Sequence, residues 1–404
     1  MANKVQTPKG FRDFLPQDAK LRAFVLEKIK SSLEKFGFEP LETPALEFAE
    51  TLKGKYGEDE KLIFEFTDRG GREVALRFDQ TVPLARVITT NPQLPQPFKR
   101  YQVQPVWRAE NPQKGRFREF LQVDFDTVGA SSLLADAEIV KTAIATTKDI
   151  GFENFVMKIN DRGTFRGIPL EVIRIIDKLQ KIGEVRVAEQ LKRAGYEVRE
   201  AKALLKRIKD SKPTRNIEKL FEYLEDYRID KDKYAFDPAL ARGLDYYTGL
   251  IFELEIEGYD GGSVGGGGRY DDLIGRFTGE KTPAVGFSFG FDRLIEAAVE
   301  AGLLPKYEPT TRVLVTVFKE NLLKESLSLV SRLINRGIAA EISLDPAEKL
   351  DKQLKYADNK GIPYAAIVGP EEVKTDTITL KTLSTGNQSN LKEKELIKEL
   401  QPSS

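Results

Sequence analysis

Residues 100–128 read RYQVQPVWRAENPQKGRFREFLQVDFDTV, two β-patterned runs around a turn rich in polar residues. The pattern predicts an antiparallel pair over residues 100–110 and 116–128, joined by Asn111-Pro112-Gln113-Lys114-Gly115. Successive side chains on a strand point to opposite faces. Arg108 and Glu110 then share one face of the first strand, and Arg118, Phe120, Gln122, Asp124 and Asp126 share one face of the second, while Leu121, Val123 and Phe125 point the other way. One face is apolar and suited to a core. The other carries guanidinium, carboxylate, amide and one aromatic ring. Any one of these is at home on a solvated surface. Together with Arg116 they make a more specific pattern: guanidinium forks match phosphate oxygens, a ring can stack on a base, and a carboxylate or amide can hold an ammonium or a polar side chain.

Upstream, Leu21, Phe24, Val25, Ile29, Leu33 and Phe36 recur at helical spacing and stop at Gly37, which predicts a helix over residues 21–36. Leu62, Phe64 and Phe66 alternate with polar residues, as do Val74, Leu76 and Phe78, with Asp68-Arg69-Gly70-Gly71 between them: a hairpin leading into Asp79-Gln80-Thr81. Downstream, residues 169–225 set Leu, Ile and Val at helical spacing among many charges, the pattern of a helical insertion. Strand character returns over residues 246–256 and 284–289, and Gly290 opens a helix with Arg293 near its start. Beyond Pro305 and Pro309, strands and helices alternate to the end, predicting a separate α/β domain over residues 310–404.

Composition narrows the chemistry. The chain has 404 residues, no His, no Cys, and 63 basic against 63 acidic residues, so its formal net charge is zero. Without imidazole or thiol it cannot supply Ser-His-Asp or Cys-His catalysis, a His or Cys zinc site, or a disulfide. Carboxylate, Arg, Lys, Tyr and hydroxyl groups remain, a set suited to phosphate chemistry, where charge neutralisation and alignment do most of the catalysis. A nucleic-acid partner would have to be held by a local basic patch. The amino terminus MANKVQTPKG is polar, and no apolar run approaches the ~20 residues a membrane helix needs, so a cytoplasmic protein is expected.

Three further segments carry candidates. Gly265 to Gly268 is followed by Arg269-Tyr270 where a phosphate loop needs Lys and a hydroxyl residue, so the glycines read better as a place where backbones or a substrate approach closely. Arg242-Gly243-Leu244-Asp245-Tyr246-Tyr247-Thr248-Gly249 puts an Arg and two Tyr beside two glycines at a strand entrance. Arg293 places a guanidinium at a helix N-terminus, where anions are already favoured.

The segment Arg108 to Pro112 with Gly115 to Gln122 resembles motif 2 of class II aminoacyl-tRNA synthetases, in the form found in the histidyl branch. Residues 241–249 are similar to the histidine-specific signature of that branch. Residues 76–83, 266–273 and motif 3 at 284–294 follow in the expected order, and residues 38–47, with Pro44, are similar to the dimer-forming motif 1. The resemblance covers essentially the whole chain.

It implies an α+β fold: a class II antiparallel sheet flanked by helices (residues 1–160 and 232–305), a helical insertion (161–231) and a C-terminal α/β anticodon-binding domain. The activity implied is ATP-dependent conversion of L-histidine to histidyl-adenylate, with transfer to the 3′ end of tRNA-His. The alternative is the non-catalytic paralogue that regulates ATP phosphoribosyltransferase. By resemblance Arg108 binds the α-phosphate and Arg242 is the electrostatic catalyst. Glu110 meets the adenine amino group, Phe120 the adenine face, and Arg116 and Arg293 the outer phosphates. Asp79, Thr81, Gln122 and Arg242 surround the amino and carboxylate groups of histidine, and Asp126, Tyr247 and Tyr270 contact or enclose its imidazole. Asn111 and Gln113 fall in the loop that meets the tRNA acceptor end, and Lys349, Lys352 and Lys355, spaced along a predicted helix, are candidates for tRNA phosphates. ATP arrives with Mg²⁺, for which no carboxylate pair identifies ligands. A homodimer is expected, with no tightly bound organic cofactor and neither membrane nor DNA as partner.

Overall fold

Pro16 occupies the first turn of α1 (Pro16–Lys35), where its missing N–H would have had no helical partner, so the helix begins before the apolar stripe read from the sequence. Gly37, at φ +75°, ends it. The computed structural model describes residues 5–112, 115–241 and 246–401. Its contacts divide the chain into two units, Met1–Leu304 and Pro305–Ser404.

In the first unit α1 is followed by β1 (Glu39–Pro40), β2 (Leu46–Phe48), α2 (Ala49–Leu52), β3 (Glu65–Thr67), β4 (Glu73–Leu76), α3 (Thr81–Thr90), β5 (Phe98–Trp107), β6 (Glu119–Val128), α4 (Leu133–Ile150) and β7 (Phe155–Asp161). Four helices come next, α5 (Leu170–Ile176), α6 (Leu179–Arg193), α7 (Val198–Lys209) and α8 (Arg215–Asp226). The chain then returns through β8 (Tyr234–Phe236), β9 (Leu250–Ile256), β10 (Gly265–Arg269), α9 (Gly275–Thr278), β11 (Ala284–Gly290) and α10 (Phe291–Glu300). Among the described residues, eight of these strands form one sheet in the order β1-β5-β6-β11-β10-β9-β7-β8, and β2, β4 and β3 form a smaller one. The β3–β4 hairpin is the one expected from the alternation around residues 68–71, shortened at its first strand.

The central pair, β5 and β6, is antiparallel from Phe98↔Val128 to Trp107↔Glu119. Both strands stop short of the turn, so Glu110 lies in a loop and not on the strand face first expected for it. The N-terminal segment causes this: Arg108 N–H still donates to the Arg118 carbonyl (2.9 Å), but Arg118 N–H turns to the carbonyl of Gly10 (2.9 Å). Val123 and Phe125 point into a core with Val25, Ile29 and Leu33 of α1, Ile139 and Val140 of α4, and Phe287 and Phe289 of β11. The α5–α7 helices hold a core of their own around Ile176, Leu191 and Leu205, whereas Ile217, Leu220 and Leu224 of α8 join the core of the main sheet.

The second unit consists of β12 (Val313–Val315), α11 (Leu323–Asn335), β13 (Ala340–Ile342), α12 (Leu350–Lys360), β14 (Tyr364–Ile367), α13 (Pro370–Thr375), β15 (Ile378–Thr382), β16 (Gln388–Leu391) and α14 (Glu393–Leu400), with strand order β13-β12-β14-β15-β16. Parallel pairing of β13, β12 and β14 is the α/β alternation expected from the sequence. The antiparallel strand β16, polar until its last residue Leu391, carries no apolar alternation and was not visible in it. Among the described residues no helix is long and apolar enough to cross a membrane.

Candidate active site

The polar face of β6 becomes the floor of a cleft because the strands beside it present small or polar partners in register. Asp126 lies opposite Arg100 on β5 and Gly286 on β11; Asp124 lies opposite Gln102 and Ser288; Gln122 lies opposite Gln104 and Gly290. Glycine is required at Gly286 and, one strand further on, at Gly267 of β10. A Cβ on Gly286 would sit 1.9 Å from Asp126 Oδ1, and one on Gly267 would sit 2.0 Å from the Gly286 carbonyl oxygen. The glycine run forms a strand, β10, whose bare backbone lets the neighbouring strands pack closely against it. The cleft above it has a volume of about 410 Å³ and is lined by Asp79, Thr81, Arg108, Glu110, Arg116, Phe120, Gln122, Asp126, Tyr247, Tyr270 and Arg293, all of them read from the sequence as site residues.

One end of the cleft is acidic and buried. Asp126 is 3% exposed; Arg100 Nη2 stands 2.7 Å from its Oδ2 as an ion pair, and the Tyr270 hydroxyl donates to its Oδ1. Burial pushes the Asp126 carboxyl above its usual range, opposed first by Arg100 and then by Tyr270. Burial likewise raises Tyr270 well above the ordinary tyrosine value, and the neighbouring Asp126 charge adds to it. Asp79 Oδ1 accepts from the Tyr56 hydroxyl (2.9 Å) and the Val82 N–H (3.0 Å), while its buried Oδ2 has no hydrogen-bond partner among the described residues. Burial again raises this carboxyl. A buried carboxylate oxygen left open in this way is a receptor for a cation or an N–H donor. Tyr246, Tyr247 and Tyr270 cluster beside it, with ring centroids 4.9 and 5.9 Å from Tyr246.

The other end is cationic and more open. Arg108 Nε donates to the Phe78 carbonyl (3.2 Å), and its guanidinium lies 4.4 Å from the Phe78 ring and 5.2 Å from Phe120. Arg116 reaches Glu110 at 3.3 Å. Arg293 donates to the carbonyls of Gly115 (3.2 Å) and Ser263 (3.1 Å) from the first turn of α10. Burial lowers the Arg293 pKa, and the like charge of Arg116 lowers it further, an arrangement that an anion between the two would relieve. Among the described residues no group of three or more acidic side chains forms a metal site.

A model of the histidyl-tRNA synthetase family matches residues 10–193 and 171–294, and one for an anticodon-binding domain matches residues 312–402. The histidine–tRNA ligase of Helicobacter acinonychis (strain Sheeba) is 40% identical over 95% of this chain and 96% of its own length. The chain belongs to the histidyl-tRNA synthetase family. Within that family, the histidine–tRNA ligase of Cytophaga hutchinsonii is 38% identical over 98% of this chain and 99% of its own. The solved histidyl-tRNA synthetase from Nostoc sp. PCC 7120 is 30% identical, covering 98% of this chain and 99% of that one at a TM-score of 0.82.

For this histidyl-tRNA synthetase homologue, several expected residues are not among those lining the cleft: some belong to the second unit and some fall outside the described residues. Arg242 and Gln113 fall outside the described residues. Asn111 is exposed, and so are Lys349, Lys352 and Lys355; Lys349 caps α12 and is not within it. The sequence reading assigned no role to Tyr56, Arg100, Asp124 or Ser288. Period two on the strand predicted over residues 284–289 carried the signal for Ser288, since it shares a face with Gly286 and Gly290. Tyr56 lies in a segment without periodicity and could be placed only by the fold.

Proposed function

We propose that this cleft performs both half-reactions of a histidine–tRNA ligase, the class II aminoacyl-tRNA synthetase activity of its family. The observation that carries the proposal is the pairing, in one cleft, of a buried acidic end with a cationic end. Asp79 and Gln122 offer acceptors for the α-ammonium of histidine. The Asp126–Tyr270 pair, held against Arg100, offers hydrogen bonds to the imidazole, with Tyr247 beside it. A site built on such buried groups rejects analogues that would leave them unpaired.

At the cationic end Arg108 meets the α-phosphate of ATP, Phe120 and Glu110 the adenine, and Arg116 and Arg293 the outer phosphates. The histidine carboxylate, anionic at neutral pH, attacks the α-phosphorus; the bond to the bridging oxygen breaks and pyrophosphate leaves. Arg242 supplies a fixed positive charge for the developing transition state. The 3′-terminal ribose hydroxyl of tRNA-His then attacks the acyl carbon of the adenylate and AMP departs. Mg²⁺, when present, offsets phosphate charge; no acidic cluster among the described residues competes with the nucleotide's own oxygens for it.

The unit matched by the anticodon-binding model brings tRNA as partner, with Asn111 and Gln113 toward the acceptor end and Lys349, Lys352 and Lys355 toward phosphates. A cytoplasmic homodimer joined through residues 38–47 completes the proposal. A regulator of ATP phosphoribosyltransferase would need neither the guanidinium end nor the C-terminal unit. The test is charging of tRNA-His with labelled histidine. Product that survives acid precipitation and depends on ATP supports the proposal, and its absence with active control tRNA contradicts it.

A further inference from the structure

Asp124 has no part in the scheme above, yet it lies on the floor of the cleft, 3% exposed, between Gln122 and Asp126. Its Oδ1 accepts from the Ser288 hydroxyl (2.5 Å), and the Ser288 oxygen accepts in turn from the Gln122 Nε2 (3.0 Å). Strand register builds this chain: Ser288 of β11 is the direct cross-strand partner of Asp124 on β6, and Gln122 is the next residue on the same face. The direction of the chain follows from proton count. An ionised carboxylate only accepts, so Ser288 must spend its one O–H on Asp124 and can offer Gln122 only a lone pair. The Gln122 amide is then held by its nitrogen. Its Oε1, in a residue 9% exposed, has no hydrogen-bond partner among the described residues.

We infer that Asp124 and Ser288 are positioning residues for the amino-acid substrate, fixing the Gln122 amide so that its oxygen, and not its NH₂, is offered to a cationic amine. The inference rests on the reading of the cleft as a histidine-activating site, and it extends that reading to two side chains that never touch the reacting atoms.

Protonation reverses the relay. A neutral Asp124 can donate to Ser288, which frees the serine O–H to donate toward Gln122 and lets the amide turn its NH₂ outward, against the ammonium. The charges facing Asp124 set where this happens: Arg100 on β5 opposes protonation, whereas Asp126 on β6 and Asp79 before α3 favour it. Arg77 and Tyr246 also interact with it electrostatically. With burial the largest influence, the carboxyl is raised to about 7.

The test is histidine-dependent ATP–pyrophosphate exchange by the full chain, with KM for histidine and for ATP measured from about pH 6 to about pH 8.5. Ser288→Ala frees the amide, and KM for histidine is expected to rise about tenfold across the range, with KM for ATP within about twofold of wild type. Asp124→Asn keeps an acceptor but loses the charge that fixes its sense. Its KM for histidine is expected to exceed wild type about threefold near pH 8 and to converge on it near pH 6. Titration of the substrate itself is common to both proteins and cancels in that ratio. An unchanged KM for histidine in Ser288→Ala, equal rises in both KM values, or a ratio independent of pH would overturn the inference. A wild-type protein that exchanges with another amino acid and not with histidine would overturn the underlying reading instead.

Discussion

The two ends of the cleft are built differently. At the acidic end the floor groups, Gln122 and Asp126 on β6 and Arg100 on β5, stand on strands and are buried, Asp126 with 5% of its side chain exposed and Arg100 with none. At the cationic end Arg116 stands on a loop with 42% of its side chain exposed, and Arg293 is anchored by main-chain carbonyls of that same loop, at Gly115, and of the loop before β10, at Ser263. Discrimination among amino acids needs groups that cannot relax around the wrong ligand, and a sheet supplies that rigidity. Binding of a nucleotide needs mobile cations that close on phosphate and release pyrophosphate, which suits loops. On the proposed function, the acidic end acts as a fixed template for the amino acid and the more exposed cationic end as a clamp for phosphate.

Perturbing each end should therefore give different signatures. The largest effect is expected from the two cations proposed to act on the α-phosphate: Arg108→Ala or Arg242→Ala is predicted to lower the exchange rate about 10²- to 10³-fold by removing charge that acts in the transition state, measured as kcat. Next is the template's floor. Gly286→Ala would put a methyl group 1.9 Å from Asp126 Oδ1, so Asp126 must move. The expected result is a loss of about 10²-fold in kcat/KM for histidine with KM for ATP nearly unchanged, read from the same exchange assay. Arg116→Ala is smaller and opposite in kind: KM for ATP rises about tenfold, more at low salt than at high, while KM for histidine holds.

A weaker effect is expected on stability. Burial raises Asp124 to about 7, and also raises Asp79 and Asp126. Groups whose folded pKa lies above the unfolded value stabilise the fold while protonated. That contribution is complete below the unfolded carboxylate pKa of ~4 and is lost as pH rises through the folded value. Melting temperature should therefore fall between about pH 5 and about pH 8, and Asp124→Asn should flatten the slope without abolishing it, since Asp79 and Asp126 remain.

The same contrast explains what could be read in the sequence. The template was legible from strand period alone: Gln122, Asp124 and Asp126 alternate with Leu121, Val123 and Phe125, and the structure separates the two sets as the alternation requires. The clamp was legible only in part. Glu110 was expected on a strand and lies in a loop, because the carbonyl of Gly10, remote in sequence, takes the N–H of Arg118 and ends the ladder. Strand period and the helix start had already marked Arg108, Glu110, Arg116, Phe120 and Arg293 as candidates, and the resemblance to motifs 2 and 3 gave each its expected role. Tyr56, which donates to Asp79, and Arg100, which pairs with Asp126, stayed hidden because their roles arise from contacts between distant segments. The four glycines of β10 gave the opposite lesson. The sequence already favoured close approach of backbones over a phosphate loop, and the structure agrees: a Cβ on Gly267 would lie 2.0 Å from the Gly286 carbonyl oxygen.

The most direct test of a fixed acidic template facing a phosphate clamp is ATP–pyrophosphate exchange measured with each of the twenty amino acids in turn, beside an Arg242→Ala control. Exchange with histidine alone, lost in the control, is the predicted result. Histidine binding without exchange, or exchange with several amino acids, would contradict it.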